Sequence, residues 1–230
     1  MPTCVAAWSP TSRVCSLDRL FPFDAEVLSA LHAQYNEMIW PAQPIALLLA
    51  LIVVWLVVSP RRGGMRVTGA ILAAAWLWCA LVFFLQHFAA YDFMAPVYGW
   101  TFVVQAALLL WALTGRQTPL RSRPAGHLGI VLGVIAAALF GLPLVSVAGD
   151  FGWAAARLVG VAPGPTALFT LGLLLLAEGR MRWLLMVIPL AWCAVAGVTG
   201  WALGVPENLA LAGVALAALV LAVAGNWRAN

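Results

Sequence analysis

The sequence predicts an all-α, polytopic transmembrane bundle of about seven spans, N-terminus outside and C-terminus inside. An amphipathic interfacial helix precedes the first span. Three observations carry this. The 230 residues are 64% hydrophobic and 9% charged, with a mean hydropathy of +1.00, so nearly everything outside the loops is apolar enough for lipid. The apolar residues fall in seven runs without the alternation of a barrel strand. The loops between those runs alternate between arginine-rich and arginine-poor.

A helix crosses about 30 Å of hydrocarbon in about 20 residues. On that measure the spans are 42–59, 67–88, 96–114, 128–148, 165–179, 183–203 and 209–225. The fifth is the shortest, with only a tight turn at Arg180 and Arg182 before the sixth. Arg61, Arg62 and Arg66 follow the first span; Arg116, Arg121 and Arg123 follow the third; Arg228 follows the last. The remaining loops hold Asp92, then Asp150 with a single Arg157, then Glu207. Retention of arginine inside therefore sets the orientation, and seven spans agree with it.

Three regions follow. Residues 1–20 form a polar Ser/Pro/Arg-containing tail on the outer side, expected to be disordered and lacking the apolar core of a cleavable signal. Its Cys4 and Cys15 could pair in an oxidising compartment, whereas Cys79 and Cys193 read as small buried hydrophobes within spans. Residues 21–41 form the amphipathic helix. Asp24 is placed to cap it, Phe23 and Leu28 to staple it, and Leu28, Leu31, Tyr35 and Met38 make its apolar stripe. Glu26, His32, Asn36 and Glu37 fall elsewhere on the helix, and Trp40-Pro41 ends it. Such a helix lies on the outer leaflet or caps the bundle. Residues 42–230 are the bundle.

The run Tyr35-Asn36-Glu37-Met38-Ile39-Trp40-Pro41-Ala42-Gln43, preceded by Phe21-Pro22-Phe23, resembles the opening of an uncharacterised family of bacterial integral membrane proteins. Gln86-His87-Phe88, Gln105, Ala162-Pro163-Gly164-Pro165-Thr166 and Trp192-Cys193 extend the resemblance over most of the chain from Phe21 onward. The family has an aspartate between the two prolines, where this chain has Gly164. The resemblance implies the architecture and no activity.

The polar residues that could bind something are Tyr35, Asn36, Glu37, Gln43 and His87 near the outer mouth, and Gln105 deeper in span three. Gln105 falls near mid-bilayer, where an unpaired amide is costly, so it should face the bundle interior as interhelical glue or as cavity lining. We expect Glu37 or Gln43 to approach His87 within one hydrogen bond or one water, with Gln105 two to four turns deeper in the same crevice; an ion pair with Glu37 would make the site pH-sensitive. Pro143 and Pro189 free backbone carbonyls inside spans four and six. Gly129/Gly133 and Gly200/Gly204 have the spacing that permits close helix approach. Trp40, Trp100, Trp153, Trp183, Trp201 and Trp227 read as an interfacial belt, and Trp55, Trp76, Trp78, Trp111 and Trp192 as core or pocket residues.

Several function classes fall away. With no lysine the chain cannot form a retinal Schiff base. His32, His87 and His127 do not share one depth, which argues against a three-histidine zinc site or bis-histidine haem. No nucleophile-elbow motif is present, and every Asp and Glu sits at a span end rather than inside the bilayer. The pI near 9.2 reflects arginines flanking spans and does not point to nucleic acid. No cofactor, metal or catalytic residue is expected. Two hypotheses remain for a multi-pass protein of a cell membrane, the bacterial inner membrane by the resemblance. One is a protein that binds or passes a small polar solute or cation through an outward-facing pocket. The other is a structural or accessory module whose partner is a protein or lipid.

Overall fold

Runs of Ala, Leu and Val in apolar surroundings satisfy their own backbone by coiling. Every element of the computed structural model is helical. It describes residues 25–59, 62–114, 125–148, 152–177 and 179–227. The tail with Cys4 and Cys15, the Asp24 cap, Asp150, and Arg61, Arg116, Arg121, Arg123 and Arg228 lie outside the described residues, as does the side chain of His127.

Helix α1 (Ala25–Met38) meets α2 (Ala42–Val58) at 89°, across a cis Trp40–Pro41 peptide. Its buried face is Leu28, Leu31, His32 and Tyr35, continued by Ile39. Met38, expected on that face, is 60% exposed. Helix α3 (Gly64–Trp78) widens into a π-helical stretch, Cys79–His87, and ends in a short 3-10 turn, Phe88–Ala90. Helix α4 is Ala95–Thr114. Helix α5 (Ala125–Ala136) passes through a π-helical turn, Ala137–Gly141, into α6 (Leu142–Val147). That turn has a cause in sequence. Pro143, which has no N–H and crowds the preceding turn, follows directly on the Leu142 N–H, which reaches five residues back to the Ala137 carbonyl. Then follow the 3-10 turn Gly152–Ala155, α7 (Pro163–Leu174), α8 (Arg180–Leu203) and α9 (Pro206–Trp227).

Among the described residues, five helices are long and apolar enough to cross a membrane, or six if the bent pair α1 and α2 counts as one. The expected fifth span is neither. Its helix, α7, has 12 residues, about 18 Å at 1.5 Å each, against about 30 Å of hydrocarbon. Eleven of those residues are buried, and α3, α5, α8 and α9 all pack around them. A helix so enclosed meets no lipid and has no thickness to match, which is why its sequence is apolar on every side.

The outward faces are apolar as well. Leu48, Val104, Val187, Val198 and Leu216 are each more than half exposed. Trp40, Trp100, Trp153 and Trp201 are exposed near helix ends. Trp55 and Trp111, expected inside, are 48% and 52% exposed, while Trp76 is fully buried. Lipid does not penalise an outward-facing indole, so hydrophobicity alone could not sort these positions.

Of the two glycine pairs, Gly129/Gly133 has open space where side chains would go and makes no close approach. Gly200 is pressed against Asn208 and Leu209, and Gly204 (φ +70) takes the left-handed conformation that ends α8. That pair turns the chain tightly from α8 into α9. Arg182, expected only as an orientation marker, is 2% exposed. It donates to the carbonyls of Ala177 (3.5 Å) and Ala222 (3.2 Å) and stacks on the Trp183 ring, clasping the end of α9.

Candidate functional site

At the other end of α9, Arg157 bonds to Asn208. Fourteen residues separate positions 208 and 222, so the two buried arginines mark opposite ends of the bundle, about 21 Å apart. The polar residues of interest gather at the Arg157 end, around α1 and the segment 152–162.

Tyr35 is 1% exposed; its hydroxyl donates to the Val161 carbonyl (2.9 Å) and accepts from Trp78 Nε1 (3.0 Å). Asn36 Nδ2 donates to the carbonyls of Ala154 and Ala156, both at 2.8 Å. Gln43 Nε2 folds back on the Asn36 carbonyl, leaving its own Oε1 buried without a partner. Three residues of the motif thus join α1 to α2 and to the 152–162 segment. Glu37 is exposed. His87 is buried, and its Nε2 donates to the Leu31 carbonyl at 3.1 Å, while its ring lies 5.4 Å from that of Tyr35. Among the described residues no direct hydrogen bond joins Glu37 or Gln43 to His87: the histidine bonds across to the α1 backbone, and Gln43 bonds back along its own chain.

Gln105 is fully buried, and its Nε2 donates to the Leu185 carbonyl of α8 at 2.9 Å. Leu185 lies four residues before Pro189, which sits inside α8 and has no N–H to give it. The amide of one helix supplies the hydrogen bond that the proline of another omits. Two more polar contacts pin α7 centrally. Trp76 Nε1 donates to Thr170 Oγ1 (2.9 Å), and the Gly160 N–H donates to Thr166 Oγ1 (2.8 Å).

Beside these braces is a half-open cavity of about 470 Å³ between α1, the π-helical stretch, α4, α8 and α9. None of the six expected site residues lines it. Its polar lining is His32, Asp92, Tyr98, Arg157, Thr199 and Asn208, and its apolar lining includes Phe83, Phe88 and Trp192. Arg157 is 9% exposed, with the Glu207 carboxylate 3.4 Å away. Burial pulls its pKa down and Glu207 pushes it back up. His32 Nδ1 donates to the Leu28 carbonyl at 2.8 Å, which fixes the tautomer and leaves the Nε2 lone pair for an outside donor.

Sequence reasoning assigned His32 to the polar face of α1. The spacing Leu28, His32, Tyr35, Ile39 did place it on the buried stripe. Arg157 had its own signal as the lone arginine of an otherwise arginine-poor loop.

Burial holds the His32 imidazole neutral, helped by the Arg157 and His87 charges and opposed by the Leu28 bond, so its pKa lies well below 6.5. The unfolded chain takes up this proton near pH 6.5 and the folded chain does not. The stabilisation is complete above that pH and is lost as pH falls through it. Melting temperature in detergent should drop from pH 7 to pH 5, and His32→Gln should flatten that slope. An unchanged slope in the variant would place the titration elsewhere.

The family model that matches is DUF6064, a family of unknown function, over residues 25–230. No curated protein and no solved structure matches the chain.

Proposed function

Since the chain belongs to DUF6064, a family whose function is unknown, we propose its function from its own geometry: a multi-pass membrane protein, not an enzyme, that holds a small polar ligand in an outward-facing pocket. The observation that carries this is the 470 Å³ cavity. It falls within the size of small-molecule sites and is mostly apolar with a few convergent polar groups. In this reading the chain crosses seven times: α2, α3 with its π-helical extension, α4, α5 with α6, α8 and α9 span lipid, and the fifth crossing is α7, too short to span lipid and carried inside the protein by the others. Helix α1 lies at the outer interface, the N-terminus is outside and the C-terminus inside. Residues 1–20 form an outer tail, and the membrane is a cell membrane, the bacterial inner one. Tyr35, Asn36, Gln43, His87 and Gln105 brace the walls, and Glu37 is free to meet solutes at the mouth.

Two measurements test it. A reporter fused after Gly63 should stay cytoplasmic, and one inserted in the 150–160 loop should be exported; the reverse pattern would overturn the orientation. With native cysteines replaced, Thr199→Cys should react in intact cells with a membrane-impermeant maleimide, because Thr199 lines the cavity. No labelling there would remove the outward opening.

A second reading, a structural or accessory module with a protein or lipid partner, is favoured by one observation. The side-chain donors of Tyr35, Asn36, Gln43, His87 and Gln105 all go to the chain's own carbonyls. Failure of the cavity to take any small molecule would leave that reading standing.

A further inference from the structure

We propose that the cavity recognises a small organic cation, a protonated or quaternary amine that also carries an oxygen acceptor. This rests on the reading of the cavity as a ligand site and names the chemistry that fits it.

The first argument is charge. Asp92 lines the cavity and its Oδ1 accepts the Met94 backbone N–H at 2.8 Å; among the described residues no ion pair holds its carboxylate. The one guanidinium in the lining, Arg157, is already matched by Glu207 and Asn208. Two carboxylates against one guanidinium leave the site with one negative charge, since His32 is bonded through Nδ1–H and presents a lone pair. An anionic ligand would have to displace Glu207 from a buried pair. A cation needs only to approach Asp92.

The second argument is the wall. Phe88, Tyr98 and Trp192 line the same cavity, and the Tyr98 and Trp192 rings meet edge to face at 5.4 Å. Aromatic faces attract a poorly hydrated ammonium, and more strongly when it is withdrawn from water. The third is hydrogen bonding. Among the described residues, Trp192 Nε1–H is buried with no partner, and His32 Nε2 makes no hydrogen bond. A donor and an acceptor are thus both left over, which suits an amine bearing a hydroxyl or carbonyl oxygen better than a bare hydrophobic ion.

Such a cation could be free in solution or be a lipid headgroup reached from the bilayer, and the two are separable. The test is calorimetric titration of the full-length protein in nanodiscs of phosphatidylglycerol alone. The probes are three molecules of one shape: choline, its neutral isostere 3,3-dimethyl-1-butanol, and the anion 3,3-dimethylbutanoate. Choline should bind about tenfold more tightly than the neutral compound, and the anion least. Asp92→Asn should abolish that preference while leaving the melting temperature unchanged, because asparagine keeps an Oδ1 acceptor for the Met94 N–H at the start of α4. If phosphatidylcholine or phosphatidylethanolamine in the disc suppresses choline binding, the source is a headgroup; if not, it is a free cation. Equal binding of choline and the neutral isostere, or an unaffected Asp92→Asn, would overturn the cation and keep the pocket. No binding by any of the three would overturn both.

Discussion

Substituting methionine for Arg157 should cost about 2–3 kcal/mol of stability, the largest loss from any single polar change at this end of the bundle. Removing one partner of a buried ion pair costs about 3–5 kcal/mol, because the remaining charge stays desolvated without its counterion. Here that charge is Glu207, whose side chain is only 13% exposed. The buried Asn208 Oδ1, which accepts from Arg157, loses its donor as well. The lower end of the range applies because Glu207 lies in the first turn of α9, where the helix dipole offsets up to about 1 kcal/mol. The mechanism makes a second statement that simple loss of packing would not. Glu207→Gln added to Arg157→Met should recover more than half of the loss, although it removes a further charge. Denaturant or thermal unfolding in detergent would measure both. If the single variant melts like the parent, the pair contributes nothing. If the double variant melts lower still, the cost lies in packing and not in an orphaned carboxylate.

Arg157 also shows where the sequence could and could not be read. Apolar runs of membrane-crossing length placed α2, α3, α4, α8 and α9 within a few residues, because lipid thickness fixes length and lipid polarity fixes composition. The same reasoning fails inside a bundle. Lipid and protein core are equally apolar, so nothing in the pattern says that Trp76 faces in while Trp55 and Trp111 face out, or that α7 is enclosed on every side. Polar residues were more informative. Tyr35, Asn36, Gln43 and His87 were marked as a group and do cluster around α1, but their partners are backbone carbonyls of Val161, Ala154, Asn36 and Leu31. Carbonyl partners leave no trace in side-chain identity. The cavity is built by His32, Asp92, Arg157 and Trp192, which come from four distant segments, and only the fold brings such residues together.

Gln105 and Pro189 should be energetically coupled by about 1 kcal/mol, although they lie 84 positions apart in a chain whose apolar residues mask the link. In the native bundle the Leu185 carbonyl has lost its helical donor to Pro189 and takes Gln105 Nε2 in its place. Gln105→Leu removes that donor and leaves a buried carbonyl bare, at a cost of about 1–2 kcal/mol; hydrogen bonds between membrane helices tend to the low end. Pro189→Ala returns an N–H to the backbone, so the Leu185 carbonyl no longer depends on the amide. In that background Gln105→Leu should be neutral or stabilising, since it also deletes an Oε1 that is buried without a partner. A double-mutant cycle by unfolding in mixed micelles reads the coupling directly. Additivity within about 0.3 kcal/mol would mean that the amide does not substitute for the missing proline N–H. Coupling of the expected sign would show that a helix-breaking residue in α8 and a polar residue in α4 act as one device, each costly alone and tolerated because the other is there.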